Sequence, residues 1–210
     1  MQRSWRQDPD KLTFITCRPI PEPAVPTTTK ITEHDDYDSL DRMLGDINLF
    51  LRVDEGDEQP DEEKDAKNNA PMPQIIGEIE LMIAEKTNHR KGFGRAALLC
   101  FLRYIVEHEV EILTEFVPST FTTSGQKMKI REKDKSWRFS ALSVKIGKDN
   151  VGSLALFESV GFRRISEKPN CFGELELLLT GFDHSTVNKE LEKARIVGYV
   201  ELDYARREMS

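Results

Sequence analysis

Cysteine is scarce in this chain. Cys17, Cys100 and Cys171 are the only three in 210 residues, with no C-x-x-C and no cysteine–histidine pairing. That spacing offers neither a disulfide framework nor a four-ligand zinc site, and it suits a reduced, intracellular setting. All three lie within apolar runs, which favours small buried hydrophobes over nucleophiles. Long apolar runs are missing as well. None approaches the roughly 20 residues that cross a bilayer, and the N-terminus has no signal-peptide core. Histidine is rare, with 4 residues, and His34, His108 and His184 show no ligand spacing, so they read as surface positions. We therefore expect no metal, no membrane and no nucleic-acid partner, and a cytoplasmic location with the nucleus also open.

What is abundant is charge, and it is unevenly placed. The chain holds 30 basic and 37 acidic residues, a net −7. Between Asp54 and Ala70 eight acidic residues face two lysines, a balance of −6 that nearly accounts for the whole excess. Between Val117 and Leu142 six basic residues face two acidic ones, a balance of +4. Both are local features, so a nucleic-acid surface does not follow. At 38% hydrophobic residues, the length suits one domain with a single core and polar appendages.

The order of elements can be read from pattern. Met1–Asp10 reads as the tail of a helix ending at Gln7-Asp8-Pro9-Asp10, with Trp5 and Phe14 as core residues. Lys11–Cys17 alternates and is rich in β-formers, so it predicts a strand. Pro19, Pro21, Pro23 and Pro26 then impose an extended loop. Leu44–Val53 predicts a second strand, and the acidic segment from Asp54 to Pro73 a mobile loop. Ile75–Ala84 predicts a third strand, with Ile79, Leu81 and Ile83 on one face and Glu78, Glu80, Met82 and Ala84 on the other.

After that strand comes His89-Arg90-Lys91-Gly92-Phe93-Gly94, and then a helix to about Glu109. Strand, basic glycine loop, helix is how a chain builds an anion hole from its own backbone. Glycines permit close approach to a phosphate, and the free N–H groups of the first helical turn point at it. Taken alone this is a weak signal, because a tight turn fits as well. Glu111–Phe116 reads as a strand segment, as does Ser143–Gly147. Asn150–Val160 predicts a short helix closed by Gly161. Phe162–Ile165 and Glu174–Thr180 predict a hairpin, and Ser185 is a candidate cap for a last helix to about Val197. Together these elements indicate an α+β fold with a mixed sheet.

The run Asn150-Val-Gly-Ser-Leu-Ala-Leu-Phe-Glu-Ser-Val-Gly-Phe162 sharpens the reading. Here the chain resembles the GNAT N-acetyltransferase superfamily, whose late motif is N-x-x-S/A-x-x-L-Y/F-x-x-x-G-F. Asn150, Ser153, Leu156, Phe157, Gly161 and Phe162 match it in register. The glycine loop lines up with the superfamily's Q/R-x-x-G-x-G/A signature, with His89 in the first position. Gln2–Phe14, Gly45–Leu51, Gly77–Glu85, Leu113–Phe116 and Lys145–Gly147 look like the N-acetyltransferase 9 subfamily.

The resemblance implies a GNAT-type mixed central sheet flanked by helices, N-terminally truncated. It spans a domain over 1–182, with an acidic loop at 54–73, an atypical basic insertion at 117–142 and a polar, helical tail at 183–210. It also implies acetyl-CoA as co-substrate and a protein or peptide amine as acceptor, an N-terminal α-amine or a lysine. Tubulin or microtubule association comes by resemblance only. Met82, Ile83 and Ala84 would offer backbone groups to the pantetheine arm and acetyl carbonyl. His89, Arg90, Lys91, Gly92, Phe93, Gly94 and Arg95 would hold the pyrophosphate. Asn150 would reach the pantetheine or pyrophosphate, and Phe157 would pack near the thioester. Glu80, and next Glu78, are the candidate general bases, because a carboxylate on that face can take a proton from an ammonium through water.

Three departures accompany the match. His89 stands at the Q/R position. Phe157 stands where many relatives have a tyrosine that protonates the departing thiolate. The chain also begins near the end of the strand and helices that open the superfamily fold. A non-catalytic CoA-binding or partner-binding module is thus the alternative function. If Leu113–Phe116 ran directly into Ser143–Gly147, residues 117–142 would interrupt a central strand. Two readings of that segment stand: a gene-model artefact, or a basic flap bearing Lys127, Lys129, Arg131 and Lys133.

Overall fold

The computed structural model describes residues 8–20, 30–32, 37, 39–54, 74–123, 137–196 and 198–205. Their centre is a six-stranded mixed sheet. Strands β1 (Lys11–Cys17), β3 (Met43–Asp54), β4 (Gln74–Ile83), β5 (Phe139–Gly147), β6 (Arg163–Arg164) and β7 (Glu174–Leu179) lie in the order β1-β3-β4-β5-β7-β6. β2 (Lys30–Thr32) pairs in parallel with β8 (Asp203–Ala205) as a separate ribbon. Four helices are described: α1 (Phe93–Glu107), α2 (Glu109–Thr123), α3 (Val151–Ser159) and α4 (His184–Lys193).

Within the sheet β4 and β5 alone run parallel, which requires the crossover that α1 and α2 supply between them. The strand pattern places the core on one face. Ile47 and Leu49 of β3, Ile75 and Ile79 of β4 and Leu142 of β5 pack with Leu98, Leu99 and Leu102 of α1. The opposite face carries charge: Glu78 pairs with Lys145 at 2.7 Å and Arg52 with Glu176 at 3.6 Å. Partly exposed pairs of this kind contribute about 0–1 kcal/mol. Burying one Leu or Ile contributes about 1.5–3 kcal/mol, so the apolar face holds the sheet.

One predicted strand is a helix. Glu111–Phe116 lies inside α2, which begins directly after His108, the C-cap of α1. Its apolar positions Ile112, Leu113, Phe116 and Val117 recur at helical spacing and are all buried, whereas Thr114 and Glu115 are exposed. Glu109 and Glu111 place acid in the first turn, where the helix dipole favours it. The central strand is therefore not interrupted: β5 is continuous from Phe139 to Gly147 and pairs with β4 and β7. Glu109 ties the two elements together. Its Oε1 accepts the Phe139 N–H at 2.8 Å and its Oε2 pairs with Arg138.

Other differences are smaller. The last helix is capped by Asp183, whose Oδ1 accepts the Thr186 N–H at 2.7 Å, and not by Ser185. Cys171 is exposed, while Cys17 and Cys100 are half-buried. Phe14 is 36% exposed yet stacks edge-on against Phe101 and Tyr104. His108 is no free surface residue. It stacks on Tyr104, and its Nε2 lies 2.9 Å from Glu201 Oε2. Trp5, His34, most of the proline loop, the acidic loop beyond Asp54 and the flap lysines lie outside the described residues.

Candidate active site

β4 and β5 pair from Ile75↔Phe139 to Glu78↔Ser143 and then part. β4 runs on to Ile83 held only by β3, and β5 runs on to Gly147 held only by β7. A V-shaped cleft opens between two strands that are each still paired on their outer side. Backbone groups alternate along a strand. The Ala84 N–H donates to the Leu44 carbonyl at 2.8 Å, on the β3 side. The backbone groups of Ile83 and Leu81 therefore point the other way, into the cleft.

That geometry sorts the predicted strand residues. Ile83 presents its backbone to the cleft, whereas Met82 and Ala84 turn theirs to β3. The Met82 carbonyl faces Gly45, and the Met82 side chain is exposed. Of the two candidate bases, Glu80 is exposed and Glu78 is half-buried in its ion pair with Lys145. Opposite Glu78, at the apex of the V, Ser143 is fully buried and its Oγ has no hydrogen-bond partner. Sequence reading missed Ser143; nothing marks a lone serine in a strand until the register places it at the fork.

The glycine loop sits at the open end of β4. A short turn over Lys86–Asn88 leads to His89, and Gly92 at φ 88° is the N-cap of α1. The first bond inside the helix runs from the Ala96 N–H to the Gly92 carbonyl at 2.9 Å. The N–H groups of Phe93, Gly94 and Arg95 thus have no intrahelical acceptor, and no side chain caps them. Arg90 and Lys91 are exposed and make no ion pair among the described residues. Uncapped donors, two unpaired cations and a positive helix end make a fit for a phosphate-bearing ligand. Arg95 reaches sideways, donating to Ser159 Oγ at 2.6 Å, and so joins the start of α1 to the end of α3.

α3 closes the other side. Asn150 caps it by accepting the Ser153 N–H at 3.2 Å, and Leu156 lies 3.5 Å from where a Cβ on Gly94 would be. Phe157 is buried in the core, edge-on to Phe162 at 5.1 Å. It has no hydroxyl to offer a leaving group. Away from the cleft, between β1 and α1, a cavity of about 400 Å³ is lined by Phe14, Ile47, Phe101, Tyr104 and Tyr199. At its edge the side-chain ligand atoms of Glu107, His108 and Glu201 come within 4.8 Å of one another, a grouping hidden from sequence by the separation of 93 positions from His108 to Glu201. Burial pushes the Tyr199 hydroxyl up, and its hydrogen bond to Glu201 reinforces this, while the same bond holds the Glu201 carboxyl down.

A mixed sheet whose parallel central strands fork beside an uncapped helix N-terminus has the architecture of a GNAT acetyltransferase. No family model matches the chain. It is 33% identical over 191 residues to the N-acetyltransferase 9-like protein of Schizosaccharomyces pombe, covering 86% of this chain and 76% of that one. It is 34% identical over 162 residues to the alpha/beta-tubulin-N-acetyltransferase 9 of Drosophila melanogaster, covering 77% of this chain and 55% of that one. Among solved structures it is similar to AtaTR bound with AcCoA, at 16% identity and a TM-score of 0.44 over 89% of this chain and 77% of that one. The chain belongs to the N-acetyltransferase 9-like family. It spans about three quarters of the yeast relative's length but little more than half of the fly protein's. Among the described residues no helix is long and apolar enough to cross a membrane.

Proposed function

We propose that the chain transfers acetyl from acetyl-CoA to the amine of a protein or peptide. The observation that carries this reading is the fork after Glu78 and Ser143, set beside the uncapped start of α1. In it the first-turn N–H groups of Phe93, Gly94 and Arg95 bind the pyrophosphate, with Arg90 and Lys91 adding charge. The free edge of β4 at Leu81 and Ile83 aligns the pantetheine arm. Asn150, whose side-chain carbonyl is taken by the cap, offers its Nδ2 amide from the α3 side. Bound acetyl-CoA supplies an activated thioester.

The acceptor amine attacks the acetyl carbonyl carbon, a C–N bond forms and the C–S bond breaks. Unpaired strand N–H groups in the cleft hold the charge that develops on oxygen. Glu80 takes the amine's proton through water, being the carboxylate on that face without an ion pair among the described residues, whereas Glu78 is engaged by Lys145. Water returns a proton to the thiolate, because Phe157 carries no hydroxyl. The fly relative is called an alpha/beta-tubulin-N-acetyltransferase 9; tubulin is accordingly the first protein acceptor to try. A radiolabelled acetyl-transfer assay on mixed peptides and tubulin, run beside a CoA-binding measurement, tests the reading. Label in the acceptor supports it, and binding without transfer defeats it in favour of a CoA-binding module.

A further inference from the structure

His89 opens the glycine loop, and its ring turns back onto the strand the chain has just left. Its Nε2 lies 2.8 Å from the Ile83 carbonyl oxygen. A carbonyl only accepts, so this nitrogen carries the hydrogen and the neutral ring is the Nε2–H tautomer, with Nδ1 left as an acceptor. Without the ring that carbonyl has no ladder partner. β5 has stopped pairing at Glu78, and the β3 side is engaged by Ala84 and not by Ile83.

The loop has few other anchors. The Asn88 N–H donates to the Glu85 carbonyl at 2.9 Å and the His89 N–H to the Lys86 carbonyl at 3.1 Å, which shapes the turn before it. Beyond His89 the chain passes through two left-handed residues, Arg90 at φ 61° and Gly92 at φ 88°. Among the described residues, no other side chain from Arg90 to Gly94 makes a hydrogen bond. One imidazole thus spans from the free edge of β4 to the start of the loop that carries the helix donors.

We infer that His89 is a positioning residue: through the Ile83 carbonyl it fixes the phosphate-binding loop to the free edge of β4. This rests on the acetyl-CoA reading of the same cleft. The two parts of one ligand, an amide-bearing arm and a pyrophosphate, would meet the strand edge and the loop respectively, so their relative placement decides whether both can be held at once. The inference also accounts for histidine in the first position of the loop motif. Glutamine, arginine and histidine share a side-chain N–H donor, and a donor is what the orphan carbonyl requires.

The test compares wild type, His89→Ala and His89→Gln in three measurements: imidazole 15N shifts, hydrogen exchange of the bonded Asn88 and His89 amides, and CoA affinity by calorimetry. The Nε2–H tautomer is expected in the wild type. His89→Ala should exchange faster at the amides of residues 88 and 89 and bind CoA about tenfold more weakly, the loss of one hydrogen bond's net contribution, and His89→Gln should restore both. A Nδ1–H tautomer, or an alanine variant with wild-type exchange, overturns the inference. If the wild type binds no CoA, the cleft reading fails, and the tautomer and exchange results still decide the role of His89.

Discussion

Gly45 of β3 lies so close to Met82 of β4 that a Cβ on it would stand 1.8 Å from the Met82 carbonyl oxygen. Its register partner is Ile83, the last residue of the strand whose edge is free in the cleft. The atom it would strike is backbone, so no rotamer change relieves the contact. Gly45→Ala should therefore push the end of β4 outward and cost about 1–3 kcal/mol, the range for overpacking. Denaturant unfolding measures the loss, and a stability equal to wild type would mean that the two strands are not so closely apposed.

Glu80 and Glu78 share a face of β4 but differ in surroundings. Glu80 is exposed, and Glu78 is bound to Lys145. Glu80→Gln should lower kcat/KM by about 10²-fold or more, the usual range for removing a general base, with CoA binding retained. Glu78→Gln should lower it less. The reverse order in steady-state acetyl transfer would move the base to Glu78.

Within α2, Thr114 is exposed between buried Leu113 and Phe116. Thr114→Pro should break the helix and cost about 3 kcal/mol or more. Leu113→Ala removes a fully buried side chain and should cost about 2–5 kcal/mol. A neutral Thr114→Pro in thermal unfolding would favour an extended segment there instead.

Asp183 ties a pH dependence to α4. The Thr186 backbone N–H bonded to its carboxylate is the largest cause holding its pKa below the ordinary 3.8. A carboxyl depressed in the folded state contributes stability in full above its unfolded pKa and loses it as pH falls through the folded value. The melting temperature of Asp183→Ala should thus lie below wild type at neutral pH. The gap should close as pH drops below 3.8. A gap unchanged down to strongly acidic pH would show that the cap's charge contributes nothing.

Much of the fold was legible because its signals are local. β1 falls at Lys11–Cys17 as its alternation predicts. The faces of β4 follow from period two, and the loop and Gly161 at φ 110° follow from backbone requirements of a few residues. α2 was misread because Ile112, Leu113 and Phe116 suit either period when the window stops at Phe116; Val117 completes the helical pattern. Contacts at long separation left no trace in sequence. The Glu78–Lys145 pair spans 67 residues, and the bond from His89 to Ile83 depends on a turn that brings the ring back by φ values no composition reveals. Ser143 looks like any strand serine until the register sets it opposite Glu78.

The central claim is that the start of α1 and the free edge of β4 hold one ligand between them. The most direct measurement is a 15N-correlated titration of the backbone amides with CoA. The account predicts saturable shifts concentrated at Phe93, Gly94 and Arg95 and at Leu81 and Ile83, while amides lining the cavity between β1 and α1 stay still. Shifts absent from the loop and strand edge, or confined to that cavity, would contradict it.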